Sequence, residues 1–369
     1  MFPNNAHQIR KWKKDYFICL IMGVKKLSGI KPQWFSLVLG TLSISLALYV
    51  LSLAFSISFL FALGEYVFIA VLAIFWIIFV LWIYRYVSSP SYLRSDLSNP
   101  ETVSFTALLG VLFYAGAFFY ITYFAPGETQ VEIILYIYFF MYIFIMALNV
   151  LLNYMVYSGK VRIENVNYAF LIPSIVMGGG IILTSVLIPS SYFSGDMALL
   201  TSIYTTTLLG FGIFVFQFIF YGTAAFFSFM MGRKDPASMP TTMLPLGAVS
   251  MIVINLMLIP TFNSLKIFYF PESFAETISL ALWGVEIIYF LVGSAVLFSG
   301  IRKRVFLSAW AFVFPVGISI FSDFLLWDYL RYFFIKIFIF AISILLLIYY
   351  IYALSETMGM IFSRRSSGN

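Results

Sequence analysis

Residues 65–87 read EYVFIAVLAIFWIIFVLWIYRYV, an apolar run in which the only charged side chains are Glu65 and Arg85. A helix needs about 20 mainly apolar residues to cross the hydrocarbon core of a membrane, and this run is long enough. A strand of a transmembrane barrel would be about 10 residues of alternating polarity, whereas this run is apolar on both faces. The stretch therefore predicts a membrane-spanning helix.

Similar apolar runs recur along the whole chain. The predicted spans lie near residues 34–56, 65–87, 103–124, 131–155, 168–189, 197–230, 242–261, 274–299, 306–326 and 333–357. Hydrophobic residues make up 62% of the 369 positions and charged residues only 10%, where a soluble domain carries about 25% charged residues. The sequence therefore predicts an all-α integral membrane protein with about ten transmembrane helices, and it argues against a soluble enzyme.

The Lys and Arg residues are divided unequally between the two sides of a ten-span arrangement. All but three of the 21 fall on one side, and the three on the other side are Lys266, Arg331 and Lys336. Lys and Arg concentrate on the cytoplasmic side of membrane proteins. We therefore predict that both termini are cytoplasmic, and we attribute the net charge of +6 to this bias rather than to nucleic-acid binding.

The segments outside the spans are short. Residues 1–31 are predicted to form a basic cytoplasmic N-terminal arm, either an interfacial helix on anionic lipid or a disordered tail. Residues 32–358 are predicted to form the ten-helix membrane transport domain, and residues 359–369 a short cytoplasmic tail. His7 and Cys19, the only residues of their types, both lie in the arm. The sequence therefore predicts no haem or zinc site within the spans, and no cofactor.

The odd-numbered spans share Gly or Pro residues near their start or middle. These are Gly40, Gly110, Pro173, Gly178, Gly179, Gly180, Pro245, Gly247, Pro315 and Gly317. Proline removes a helix hydrogen bond, which lipid tolerates only where neighbouring protein or water satisfies the freed carbonyl. The pattern predicts five helical hairpins around a central pore, each with an odd inner helix and an even outer helix. Glycine and proline are also common in membrane helices that only pack together.

Acidic residues inside the predicted spans are few. Glu286 lies in the middle of the eighth span, and Asp323 lies near the outer end of the ninth, where a side chain can reach the interface. Ionisable residues inside a membrane are costly and are functional candidates by default. We expect no carboxylate pair for proton antiport, because we find no charge near the middle of an odd helix. Glu286 is expected to be structural or protonated, since it lies on an outer helix.

Hydroxyl groups on the odd helices are the candidate anion contacts of such an uncharged pore. They are Thr41, Ser43, Ser45, Ser104, Thr106, Ser174, Ser250 and Ser319. Serine and threonine also pack membrane helices together or bond to the backbone of their own helix. Both interpretations are open for each of these residues.

Four groups of residues occur in the order of the landmarks of a known family. They are PQWFS at 32–36 with Gly40 and Thr41, Asn99-Pro100 with Phe105, Pro173 with Gly178, and WAFVFP at 310–315. The chain thereby resembles the tellurite-resistance and C4-dicarboxylate transporter family, which includes bacterial tellurite-resistance proteins, yeast malic-acid permeases and plant guard-cell slow anion channels. The chain departs from the family pattern at Leu42, Asn99, Ala309 and Val313, so the resemblance does not identify the substrate.

The resemblance implies a transporter for small anions in the plasma membrane, acting as a channel or a carrier. The implied substrates are a C4-dicarboxylate, sulfite or an inorganic anion. It also implies a homotrimer with one path per protomer. By resemblance at the Phe-Pro step, Phe314 is expected to gate the pore, with Phe312 as the alternative. The residues expected to line the pore or to kink its helices are Gly40, Thr41, Gly110, Pro173, Pro245 and Pro315.

Two other functions are weighed against anion transport. A membrane-embedded enzyme that transfers lipid or sugar groups would need a general base or nucleophile near the membrane face. The acids available there are Asp96, Glu101, Glu164 and Asp235, each in a loop that also carries basic residues. A subunit without transport activity of its own is the second alternative.

Overall fold

The computed structural model describes residues 30–189, 193, 195–231, 236–300 and 306–366. Within these residues all regular secondary structure is helical, and ten helices are long and apolar enough to cross a membrane. We number them α1 (Pro32–Phe55), α2 (Ser58–Ser88), α3 (Pro100–Phe124), α4 (Glu128–Tyr157), α5 (Tyr168–Leu187), α6 (Met197–Met231), α7 (Ser238–Leu265), α8 (Glu272–Ser299), α9 (Leu307–Leu330) and α10 (Phe333–Met360). The predicted all-α membrane fold is confirmed. Almost all of the predicted basic arm, and the loop residues Arg233, Lys234 and Arg302 to Arg304, lie outside the described residues.

Burial separates the helices into two sets that alternate along the chain. In the odd-numbered helices, between 67 and 89% of the residues in the most apolar stretch are buried, against 22 to 39% in the even-numbered helices. The odd helices contact one another in the closed order α1, α3, α5, α7, α9 and back to α1. We call these five the inner ring and the even helices the outer ring. The predicted division into inner and outer helices is confirmed.

Small residues bring the inner helices into close contact. A methyl group in place of the Gly40 hydrogen would clash with the ring of Trp310, which joins α1 to α9. At Gly247 of α7 the same group would lie 3.1 Å from the Pro315 Cβ of α9. Such small residues let the two backbones approach closely. In lipid the hydrophobic effect does not drive helices together, so this close packing stabilises their association.

The inner helices begin irregularly on the side of the molecule that carries Arg94, Lys160 and Arg162, which we call the basic face. In the described part of the chain, 3₁₀ turns precede the α-helical part of four inner helices, at Pro32–Trp34, Tyr168–Leu171, Pro236–Met243 and Phe306–Ala309. In α3 a short helix, Pro100–Thr106, precedes the main one. The α-helical parts then begin at Phe35, Leu108, Ile172, Leu244 and Trp310.

The predicted proline kinks differ in position. Pro173 and Pro245 lie in the first turn of their α-helical parts, where the missing N–H would have no helical partner and the fixed φ suits a helix start. They therefore start helices rather than bend them. Pro315 lies inside the α-helical part of α9, where it removes a backbone hydrogen bond. Of the three prolines, Pro315 is therefore the one whose position is compatible with a helix kink.

A buried ion pair fixes the connection between α2 and α3 at the basic face. Arg85 donates to both carboxylate oxygens of Asp96, with the Nη2 to Oδ1 distance at 3.1 Å. The hydroxyl of Tyr86 donates to Asp96 Oδ2 at 2.9 Å, and the Arg85 guanidinium lies 4.6 Å from the centre of the Tyr92 ring. Asp96 therefore accepts three hydrogen bonds in a structural contact. Of the other loop acids considered for an enzyme, Asp235 lies outside the described residues.

Candidate anion pathway

Two small cavities lie one after the other inside the inner ring. The first, which we call the basic-side cavity, has at least one first-turn residue from each inner helix in its lining, among them Ser36, Leu108, Ile172, Leu244 and Trp310. The second, which we call the far cavity, is lined among others by Ser43, Leu46, Ala115, Ile182 and Ile318. These residues lie further along four of the same helices, α1, α3, α5 and α9. The two cavities therefore mark a path along the axis of the ring.

Three residues border both cavities and separate them. They are Leu39 of α1, Val111 of α3 and Phe314 of α9. Phe314 contributes the only aromatic ring among the three and is 8% exposed. Phe312 is 2% exposed and borders neither cavity. Of the two gate candidates, Phe314 alone borders the cavities, and its role as the gate stays a prediction.

The path is closed in this structure. The basic-side cavity has a volume of about 30 Å³ and the far cavity about 20 Å³. A cavity needs at least about 10–15 Å³ of space for the centre of a water molecule in order to hold one. Each of the two cavities therefore holds about one or two water molecules. A hydrated anion does not fit in either cavity, and conduction requires the residues between them to move.

The surroundings of the path carry no fixed charge in the described residues. Leucine, isoleucine, valine, alanine and aromatic side chains provide nearly all of the lining, and Ser36 and Ser43 provide the polar atoms. Ser36 donates its hydroxyl proton to the Gln33 carbonyl at 2.5 Å, and Ser43 donates to the Leu39 carbonyl at 3.0 Å. In the closed state these hydroxyl groups therefore offer lone pairs rather than protons to the path.

The expectation that hydroxyl groups of the odd helices face the pore holds for only one of the eight candidates. Ser43 borders the far cavity, whereas the others are absent from both linings. Their protons are used within the protein: Thr41, Ser104, Thr106, Ser174, Ser250 and Ser319 donate to carbonyls of their own helices. Ser45 donates to the Gly64 carbonyl of α2 at 2.8 Å. The alternative, bonding to the backbone of the same helix, describes seven of the eight, because Ser43 also donates to the Leu39 carbonyl and only Ser45 bonds to another helix.

The other predicted site residues lie on the inner helices beside lining residues. Thr41 directly follows Gly40, and Pro315 directly follows Phe314. Gly110 packs so closely against Ile145 and Val176 that it has no room for a side chain. Gly40, Thr41, Gly110, Pro173, Pro245 and Pro315 border neither cavity in this closed state. Whether they line an open path stays a prediction.

The structure corrects one expectation about charge. Asp323 does not reach the interface: it is fully buried and faces Glu286 of α8, which is 2% exposed. A carboxyl pair therefore exists inside the membrane domain, where we expected none. The sequence concealed it because the two residues belong to different helices, and only the rotation of α8 and α9 about their axes brings them together.

Comparison with known proteins agrees with this architecture. The model of the SLAC1 family, described as voltage-dependent anion channels, matches residues 29–358. An uncharacterised transporter of Methanocaldococcus jannaschii is 23% identical to the chain over 348 residues, which cover 91% of this chain and 96% of that protein. The family resemblance seen in the sequence is confirmed. The chain thus belongs to the SLAC1 family of multi-pass membrane channels and transporters for anions, which are not enzymes.

Proposed function

We propose that small anions cross the membrane along the axis of the inner ring, from the basic-side cavity past Phe314 to the far cavity. The observation that carries this proposal is the arrangement of five helix starts around one cavity. The aligned peptide dipoles of a helix give its N-terminal end a positive partial charge. The preceding turns pair some of the first N–H groups here, since the Phe35 N–H donates to the Pro32 carbonyl and the Ile172 N–H to the Ala169 carbonyl. In the inner ring the residues before these starts, Trp34, Ala107, Leu171, Met243 and Ala309, give no capping side chain.

The positive ends of five helices therefore surround the basic-side cavity, and no residue that lines this cavity is acidic. Anions are favoured in such a place, and the apolar walls around it strengthen the attraction because they lower the local dielectric constant. A cation would meet no acidic side chain in the lining of either cavity. This arrangement supports a pore that has no charged side chain in its lining and still selects anions over cations.

Phe314 is the proposed gate. Its ring lies between the two cavities, and it precedes Pro315, which leaves the carbonyl of Ala311 without its usual helical donor. A helix interrupted at that point bends more readily than an intact one. Movement of the ring away from Leu39 and Val111 would join the two cavities.

Flux through purified protein in liposomes tests the gate. We expect Phe314→Ala to raise anion flux by about tenfold, which corresponds to lowering a barrier by about 1.4 kcal/mol, because the deleted ring opens the constriction. Chloride, nitrate, sulfite and malate are assayed separately, so that the same measurement ranks inorganic anions against a C4-dicarboxylate.

Phe312→Ala is the matched control. It removes an equally large ring two residues earlier in the same helix, at a position that borders neither cavity. We expect it to lower thermal stability and to leave flux per folded molecule unchanged. Unchanged flux in well-folded Phe314→Ala protein would remove Phe314 from the gate, and cation flux without anion flux would contradict the whole proposal.

We further propose that the protein is a homotrimer in the plasma membrane, with residues 1–31 and 359–369 in the cytoplasm. The support is the family resemblance together with the basic loops on one face. Because the path lies within the inner ring of one chain, each protomer would conduct by itself. Native mass measurement in mild detergent tests the assembly, and a monomeric mass would contradict it.

A further inference from the structure

Two carboxyl groups meet at the junction of α8, α9 and α7, away from the axis of the path. Ser322 donates to Glu286 Oε1 at 2.8 Å, and the Trp283 indole donates to Asp323 Oδ1 at 2.7 Å. The second oxygens, Glu286 Oε2 and Asp323 Oδ2, are buried and have no donor among the described residues. The two side chains also lie within interaction range of each other. Each acid therefore has one oxygen that accepts a hydrogen bond from a neighbour and one oxygen that has no donor.

No cation of the described residues contacts either acid. α1 and α7 carry no charged residue, and Ser250 of α7, which also faces Glu286, gives its proton to the Leu246 carbonyl. On α8 the other acids, Glu272 and Glu276, lie near the opposite end from the basic face. The cations nearest in sequence are engaged elsewhere, since Arg331 pairs with Asp328 and Lys336 lies over the rings of Phe55 and Trp327.

Two adjacent carboxylates without a counter-ion are unstable in a buried place, because each desolvated charge repels the other. A proton placed between the two open oxygens removes one charge and supplies the missing hydrogen bond. Acid pairs that share one proton for this reason are known in soluble enzymes. The same physics applies here, with the added cost of burial within a membrane domain.

We propose that Glu286 and Asp323 form a proton-binding site, with one proton shared between Oε2 and Oδ2, and that its occupancy controls anion flux. The second part rests on the proposed function. Asp323 and Phe314 are on the same helix, nine residues apart, or about 14 Å along the axis. Loss of the shared proton leaves two charges that push α8 away from α9, which changes the position of α9 in the inner ring and so releases Phe314.

The proposal predicts how anion flux depends on pH. Wild-type flux in liposomes is expected to rise with pH by about tenfold or more, since repulsion between neighbouring buried charges exceeds the energy that a tenfold change requires. Glu286→Gln mimics the protonated acid, because its amide donates to Asp323. Its flux is expected to stay at the low-pH value of the wild type throughout. Asp323→Asn is the second variant and should behave in the same way.

Glu272→Gln is the matched control, since it makes the same substitution on the same helix at an exposed position. It should keep the wild-type pH profile. Infrared difference spectroscopy on the wild type provides a readout that needs neither transport nor a variant. The carbonyl stretch of a protonated carboxylic acid is expected at low pH and should weaken as flux rises. The band should be absent or altered in Glu286→Gln.

The outcomes separate the two proposals. An acid band in a protein that transports no anion at any pH would leave the proton site standing and contradict the proposed function. Anion flux that is independent of pH, or a wild-type pH profile in both Glu286→Gln and Asp323→Asn, would overturn the inference. Absence of the acid band in the wild type at low pH would overturn it as well.

Discussion

The inner and outer rings are both built from strongly apolar helices, but the two sets differ in how they pack. The inner helices bury most of their residues, approach one another at glycine, and begin with 3₁₀ turns or a short separate helix. The outer helices expose large side chains such as Trp76, Phe140 and Phe220 to the bilayer. Apolar character therefore places a helix in the membrane, and the buried fraction separates the two rings. Some glycines of the outer helices also pack closely, as Gly210 of α6 does against Met177 of α5.

The largest loss of stability is expected at a buried ion pair of an outer helix. Arg85 ends α2, and its ion pair with Asp96 is buried, with side chains only 4 and 9% exposed. Asp96→Ala leaves the Arg85 charge buried without its partner, which costs about 3–5 kcal/mol. We expect a large fall in the Tm of the purified protein and a low yield.

Asp328→Ala is the control for that substitution. Asp328 pairs with Arg331 at 2.7 Å, but the two side chains are 47 and 63% exposed. An exposed pair contributes only about 0.2–1 kcal/mol, so the Tm should fall little. Equal losses in the two variants would show that burial at the basic face does not decide the strength of this contact.

The next effect tests the role of glycine in the two rings. Gly110→Leu introduces a side chain where Ile145 and Val176 already fill the space, and overpacking of this kind costs about 1–3 kcal/mol. Gly212→Leu on α6 is the matched control, because nothing lies within 4 Å of the added group. We expect a lower Tm for the first variant alone. A similar Tm for both would break the distinction between the rings.

Much of the ring was predictable from the positions of Gly and Pro. The alternation of kink-prone and smooth spans gave the correct inner and outer sets. Phe314, which only the family resemblance singles out, borders both cavities, and its role as the gate stays a prediction. Leu39 and Val111 carried no signal, because an apolar residue in an apolar helix looks the same on every face. Only the packed structure shows which side of the helix faces the axis.

The polar contacts were harder to predict for a related reason. Ser43 and Ser319 looked alike in sequence, but a serine in a helix has its own backbone carbonyl within reach, and that local bond was formed in both. The pairing of Glu286 with Asp323 joins helices at positions 37 residues apart. Such a contact depends on the relative rotation of two helices, which no local pattern encodes.

The smallest effect is expected on the lipid-facing surface of α6. Phe216 is 58% exposed, and its ring contacts that of Phe220 on the same helix, tilted by 44° with ring centres 4.5 Å apart. In a bilayer, lipid tails replace a deleted ring with an equally apolar contact, so Phe216→Ala should change stability by no more than about 0.5 kcal/mol. Phe214, two residues earlier, is fully buried against Gly178, and Phe214→Ala should cost about 3–5 kcal/mol. Unfolding of both variants in detergent, with native mass recorded alongside, measures the difference. If Phe216→Ala instead lowered the mass of the assembly, this part of α6 would be a contact between protomers rather than a surface for lipid.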